Sequence, residues 1–161
     1  MLIESKAQQI NYGIRAGINN NHKNKLDLSV YEIYLNGAPP ICSVLGNIIY
    51  PLNISFEMTL GLFTDKANKS FLVSVGPNLY LIEYDNIVFI STGIKPSFLT
   101  NHTFTEFDLG GDFNFISHIA LIISLNEIFN LGYRFEHISN AGLYKNNPGV
   151  NLHFIELSFI L

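Results

Sequence analysis

Along most of the chain, apolar residues alternate with small or polar ones in segments of about 10–14 residues. Helical spacing of 3.6 fits poorly, so the period of two predicts strands throughout. Eight are expected, near residues 8–18, 27–37, 50–63, 70–82, 86–98, 113–126, 129–141 and 149–161. Each has two unlike faces. In the first, Ile10, Tyr12, Ile14, Ala16 and Ile18 oppose Asn11, Gly13, Arg15 and Gly17, and in the third, Met58, Leu60 and Leu62 oppose Glu57, Thr59 and Gly61. The connections alternate as well. Tyr84-Asp85-Asn86 and Asn126-Glu127 read as tight turns, whereas residues 19–26, 64–69, 99–112 and 142–148 read as longer polar loops. The segment 38–49, with Pro39-Pro40, is placed among the turns.

Alternation alone does not say which face is wet. A lipocalin-like carrier would point the apolar face inward, but its exterior would be rich in Lys and Glu. Here the polar face is mostly Gly, Ser, Asn and Thr, with Arg15, Glu32, Glu57, Arg134, Glu136 and Glu156 as its charges. Such residues suit a narrow, filled lumen with internal ion pairs, which turns the apolar face toward lipid.

Composition agrees. The 161 residues are 48% hydrophobic, and only 14% are charged, against roughly 25% in ordinary soluble domains. Mean hydropathy is +0.24. No apolar run approaches the roughly 18 residues of a membrane-crossing helix, the longest pieces resembling Ile119-Ala120-Leu121-Ile122-Ile123. A closed barrel is then the membrane solution open to the chain. The expected fold is all-β, an eight-stranded antiparallel transmembrane β-barrel forming a single domain over 1–161. A net charge of -4 argues against nucleic-acid binding, and the single cysteine, Cys42, excludes an internal disulfide. Met1-Leu2-Ile3-Glu4-Ser5-Lys6 does not read as a secretory signal. An exported protein of this sequence is expected to be the mature chain, without its signal peptide.

The candidate chemistry lies in the last hairpin. His137 and Ser139 share the outward face of the seventh strand with Tyr133 and Phe135, and Asn151 and His153 share that of the eighth with Ile155 and Leu157. Polar side chains facing lipid are costly unless they act or sit at the membrane boundary. A hairpin symmetric about Lys145 places Ser139 opposite Asn151 and His137 opposite His153, within reach of one another. A hydroxyl, an imidazole base and a group to orient it are the parts of a nucleophilic hydrolase.

The run His137-Ile138-Ser139-Asn140-Ala141-Gly142-Leu143, followed by Asn147-Pro148-Gly149, resembles the PagL-type lipid A 3-O-deacylases, with weaker support from Gly76-Pro77 and Phe115-Ile116-Ser117-His118-Ile119. The resemblance implies an outer-membrane esterase that removes the 3-O-linked acyl chain of lipid A, with Ser139 as nucleophile and His137 as base. Some members carry a glutamate as third member at the position of Asn151. The asparagine here can fix the imidazole tautomer without adding charge. The family suggests Asn147 as an oxyanion donor, and a turn-former before Pro148 is the competing reading.

Other residues are read as structural. His22 and His102 fall in loops, His118 faces the lumen, Gly110-Gly111 forms a loop turn, and Asn140 joins an interior network with Arg134 and Glu136. No metal or organic cofactor is expected. The expected partners are lipid A or lipopolysaccharide and outer-membrane lipids, with a homodimer allowed and no nucleic acid. The competing functions are a non-catalytic structural or adhesion barrel and a soluble fatty-acid carrier.

Overall fold

The computed structural model describes residues 10–19, 27–38, 53–105 and 107–161. Cys42, His22 and the Pro39-Pro40 turn lie outside the described residues. The strands are β1 (Asn11–Asn19), β2 (Ser29–Gly37), β3 (Asn53–Thr64), β4 (Lys69–Tyr84), β5 (Val88–Leu99), β6 (Thr103–Phe104), β7 (Phe107–Asp108), β8 (Phe113–Ser124), β9 (Phe129–Ser139) and β10 (Val150–Ile160). All but β6 and β7 form a closed antiparallel barrel of eight strands, in which β1 pairs with both β2 and β10. These are the eight strands expected from the alternation. Closure leaves no sheet edge, so every strand can satisfy its backbone within the barrel.

The alternation maps onto inside and outside as the composition argued. Ile14, Tyr31, Leu60, Phe71, Val75 and Leu121 are exposed on the outer wall, whereas Arg15, Glu32, Glu57, Arg134, Glu136 and Glu156 are buried within it. Glu57 is the hub of the interior network. It accepts hydrogen bonds from Arg15 Nη2 at 3.1 Å, Lys95 Nζ at 2.6 Å and Arg134 Nη2 at 3.0 Å. Arg15 also pairs with Glu32, and Arg134 donates to Glu156 at 2.8 Å. Lys95, a full member of this network, was not among the charges expected there. An apolar exterior around a lumen filled with ion pairs is the arrangement a bilayer selects.

The lumen differs from expectation near the rim with the longer loops. There the inward residues are large and apolar, among them Val30, Phe63, Leu99, Ile138 and Phe154. The β6–β7 hairpin, inside the loop expected over 99–112, supplies the reason. Its Phe104 and Phe107 are buried in the same cluster, so the mouth is closed by an apolar plug that needs apolar walls.

At the opposite rim, β4 and β5 are joined by the expected tight turn. Asp85 and Asn86 both have positive φ, 51° and 54°, the pattern of a type I′ hairpin turn. In the next turn the Asn126 side chain accepts from the Ile128 and Phe129 N–H groups at 2.8 and 2.9 Å.

Candidate active site

The site is built on the β9–β10 hairpin. Strand β9 ends at Ser139, because Ala141 (φ 52°) and Gly142 (φ 81°) turn the chain out of the ladder; Ala141, expected on the strand, thus belongs to the turn. Asn140 stabilises this exit. Its side-chain carbonyl accepts from Gly142 N–H at 3.0 Å, and its amide donates to Leu109 O at 2.8 Å and Asn146 O at 2.6 Å. Asn140 therefore fastens two loops rather than joining Arg134 and Glu136 as expected. It sits one residue beyond the strand, where loop carbonyls surround it and the barrel charges do not.

Gly110 shows how close these loops come. A Cβ at this position, where φ is 89°, would lie 2.0 Å from the Asn146 carbonyl oxygen. Asn146 in turn donates to Asp108 O at 3.2 Å. The Asp108 carboxyl is held below its ordinary pKa by the Gly110 N–H and by His102, whose Nδ1 is 2.7 Å away.

On the outer wall, His137 Nδ1 lies 2.7 Å from Asn151 Oδ1. The two residues are direct cross-strand partners, and His153 faces Phe135. The register thus differs by two residues from the one expected, which had Ser139 opposite Asn151 and His137 opposite His153. The pairing of 137 with 151 is centred on Tyr144 rather than Lys145. Moving the centre by one residue slips the partner by two, which preserves every face assignment.

With Nδ1–H donating to the Asn151 carbonyl, the neutral imidazole presents its lone pair at Nε2. Gly149 makes room for the ring. Its φ is 64°, and a Cβ there would lie 2.8 Å from His137 Cε1 and 3.2 Å from Nε2. Ser139 is two residues from His137 on the same outward face, about 7 Å away between Cα atoms, and both are half-buried. Its Oγ makes no hydrogen bond to His137 among the described residues. Asn147 is exposed in the turn, with its side-chain oxygen accepting from Asn140 N–H at 3.0 Å. That bond leaves its amide hydrogens free to donate.

Two further polar residues complete the outward cluster. Ser117 on β8 is the other cross-strand neighbour of His137. His153, expected beside His137, is bonded instead to Tyr133, with Nδ1 2.6 Å from the phenol oxygen. Glu136 and Glu156 remain in the lumen, as their parity requires. His118 also faces inward, with Nε2 2.9 Å from Asn78 Oδ1. Among the described residues no three His, Cys, Asp or Glu side chains gather as a metal site would need.

The sequence profile of a family described as Lipid A 3-O-deacylase (PagL) matches residues 43–159, the larger part of the chain and this hairpin as far as Phe159. The chain belongs to that family. Lipid A deacylase PagL of Bordetella bronchiseptica is 33% identical over 64 residues, 40% of this chain and 36% of that protein, so the alignment spans little more than a third of that relative's length. A crystal structure of the outer membrane enzyme PagL superposes with a TM-score of 0.73 at 16% identity, covering 92% of this chain and 97% of the other. The solution structure of outer membrane protein H from P. aeruginosa gives 0.58 at 8% identity, covering 95% and 99%. These structural likenesses are of fold. Family and barrel together place the chain in the bacterial outer membrane.

Proposed function

We propose that this member of the PagL family is an esterase that hydrolyses the 3-O-linked acyl chain of lipid A from within the outer leaflet. The observation that carries the reading is the 2.7 Å contact between His137 and Asn151 on a lipid-facing wall, beside Ser139. A purely structural barrel gains nothing from polar side chains there.

In the proposed reaction, His137 Nε2 takes the proton of Ser139 Oγ as the oxygen attacks the ester carbonyl. The Asn147 amide donates to the oxyanion of the tetrahedral intermediate. As the intermediate collapses, the imidazolium returns its proton to the departing sugar 3-oxygen, leaving an acyl group on Ser139. A water molecule, deprotonated by the same nitrogen, then releases the acyl group as a fatty acid and restores the hydroxyl. Asn151 holds the ring so that Nε2 faces Ser139. Being neutral, it orients the imidazolium without balancing its charge.

The test is release of fatty acid from purified lipid A by the purified barrel in detergent. Ser139→Ala and His137→Ala should each nearly abolish release while the barrel stays folded, because neither side chain belongs to the lumen network. Undiminished release by Ser139→Ala would overturn the assignment.

A further inference from the structure

One polar pair on the outer wall has no part in that reaction. Tyr133 and His153 face outward deeper in the barrel than His137 and Asn151, His153 two residues beyond Asn151, about 7 Å along the strand, and Tyr133 four residues before His137. The phenol occupies Nδ1 in either tautomer, which leaves Nε2, as donor or as acceptor, without a partner among the described residues. Phe135 meets the ring edge-on, its centroid 5.2 Å away, and shields one side of it. A polar ring nitrogen left unpaired against hydrocarbon is costly.

Next to this nitrogen the wall is hollowed. On the outward face of β1, Ala16 is the one small residue among Tyr12, Ile14 and Ile18. It stands between Tyr31 on β2 and Ile155 on β10 in the ladder, and Ile155 is paired with Tyr133. The result is a groove of about 330 Å³ floored by Ala16 and lined by Ile18, Tyr31, Ile155, Tyr133 and His153. Ala16 lies two strands from β9, about 10 Å around the barrel, and roughly 13 Å deeper than His137. The groove is therefore separate from the Ser139 site.

Taking the proposed lipid A activity as its basis, we infer that this groove holds a second acyl chain of the substrate, not the one cleaved, and that His153 Nε2 hydrogen-bonds a hydroxyl borne on that chain. That nitrogen selects the occupant. Beyond its ester an ordinary phospholipid chain offers only CH₂ groups, whereas a hydroxyacyl chain carries a hydroxyl that donates or accepts as the tautomer requires. The groove and the Ser139 site share one continuous wall, as a lipid with several chains on one sugar requires.

The test compares three glucosamine 1-phosphate lipids as substrates: one acylated on O3 alone, one carrying in addition an amide-linked 3-hydroxyacyl chain, and one whose amide-linked chain lacks the hydroxyl. The parent should show a lower KM for the two-chain hydroxylated lipid than for the single-chain one. Ala16→Phe, which fills the floor with an apolar side chain suited to lipid, should cut that advantage roughly tenfold. His153→Phe should erase the discrimination between hydroxylated and plain chains. Val75→Phe, on the outward face of β4, should leave both ratios at the parent value. Ala16→Phe with the parent's ratio, or His153→Phe still favouring the hydroxyl, would overturn the inference. Binding of the two-chain lipid in a Ser139→Ala background reads the groove without turnover. A parent that hydrolyses none of the three while Ala16→Phe still weakens binding refutes the esterase and leaves the groove standing.

Discussion

Gly149→Ala tests the geometry at His137 most sharply. The new Cβ would lie 2.8 Å from Cε1, whereas ordinary carbon contacts begin near 3.4 Å, so the ring must retreat by 3.4 − 2.8 = 0.6 Å or more. Retreat strains the 2.7 Å bond to Asn151 and, in the proposed mechanism, misdirects Nε2 from Ser139. Misplacing a reacting group by about 1 Å costs on the order of 10²-fold in rate, so a loss of roughly 10- to 100-fold in kcat is expected. The backbone also objects, since a non-glycine residue at positive φ costs about 1–2 kcal/mol. Gly142→Ala isolates that contribution. Its φ is 81°, yet a Cβ there meets nothing within 4 Å. Both variants should lose similar stability in a urea titration, and only Gly149→Ala should lose most of its turnover of lipid A. Equal activity in the two would refute the argument that Gly149 is there to admit the imidazole.

Three other predictions follow from the same contacts. Glu57→Gln removes the carboxylate shared by Arg15, Lys95 and Arg134, and should cost about 3–5 kcal/mol in urea unfolding of the barrel, as breaking a buried pair does; a loss below about 1 kcal/mol would mean that the remaining carboxylates suffice. Asn151→Ala should lower kcat roughly 10- to 100-fold, as expected for losing a hydrogen bond to a charged ring worth about 1.5–3 kcal/mol, and Asn151→Glu should match or exceed the parent; an unimpaired Asn151→Ala would place the orienting group elsewhere. Asp65 lies in the β3–β4 loop, where slight burial opposes ionisation but the N–H groups of Thr105, Asn68 and Ala67 and the Thr105 hydroxyl outweigh it and hold its pKa well below the ordinary carboxylate value. Its stabilisation of the loops is therefore complete above the unfolded carboxylate pKa and fades as pH falls toward the lowered folded one, so hydrogen-exchange protection of Thr105 and Asn68, corrected for the intrinsic rate at each pH, should fall in acid and in Asp65→Asn at neutral pH, and protection unchanged by Asp65→Asn would exclude the clamp.

The barrel was legible because two-sided strands write their environment into every second residue. Arg15, Glu57 and Glu156 shared a face in the sequence and share a lumen in the structure. Lys95 shares its face of β5 with Ser91, Gly93 and Ser97, so the same alternation placed it in the lumen although it was not counted there. The apolar plug was not legible, since Phe104 and Phe107 lie in a loop and carry no strand periodicity. In the site, parity alone brought His137, Ser139, Asn151 and His153 to one wall. Their pairing depended on where the hairpin turns, a matter of the positive φ values at Ala141, Gly142 and Gly149 that the sequence hinted at only through its glycines. The slip of two residues changed the partner of each histidine and the face of none. Asn140 was misread for a related reason, because one residue separates the end of a strand from the start of a loop.

The central claim is that the chain removes an ester-linked acyl group from lipid A through Ser139. Mass spectrometry of lipid A from a Gram-negative host tests it most directly, comparing cells that express the parent, cells that express Ser139→Ala at the same level in the outer membrane, and cells that express neither. The account predicts loss of one hydroxyacyl chain from the 3-position with the parent alone. Unaltered lipid A with the parent, or the same loss with Ser139→Ala, would contradict it.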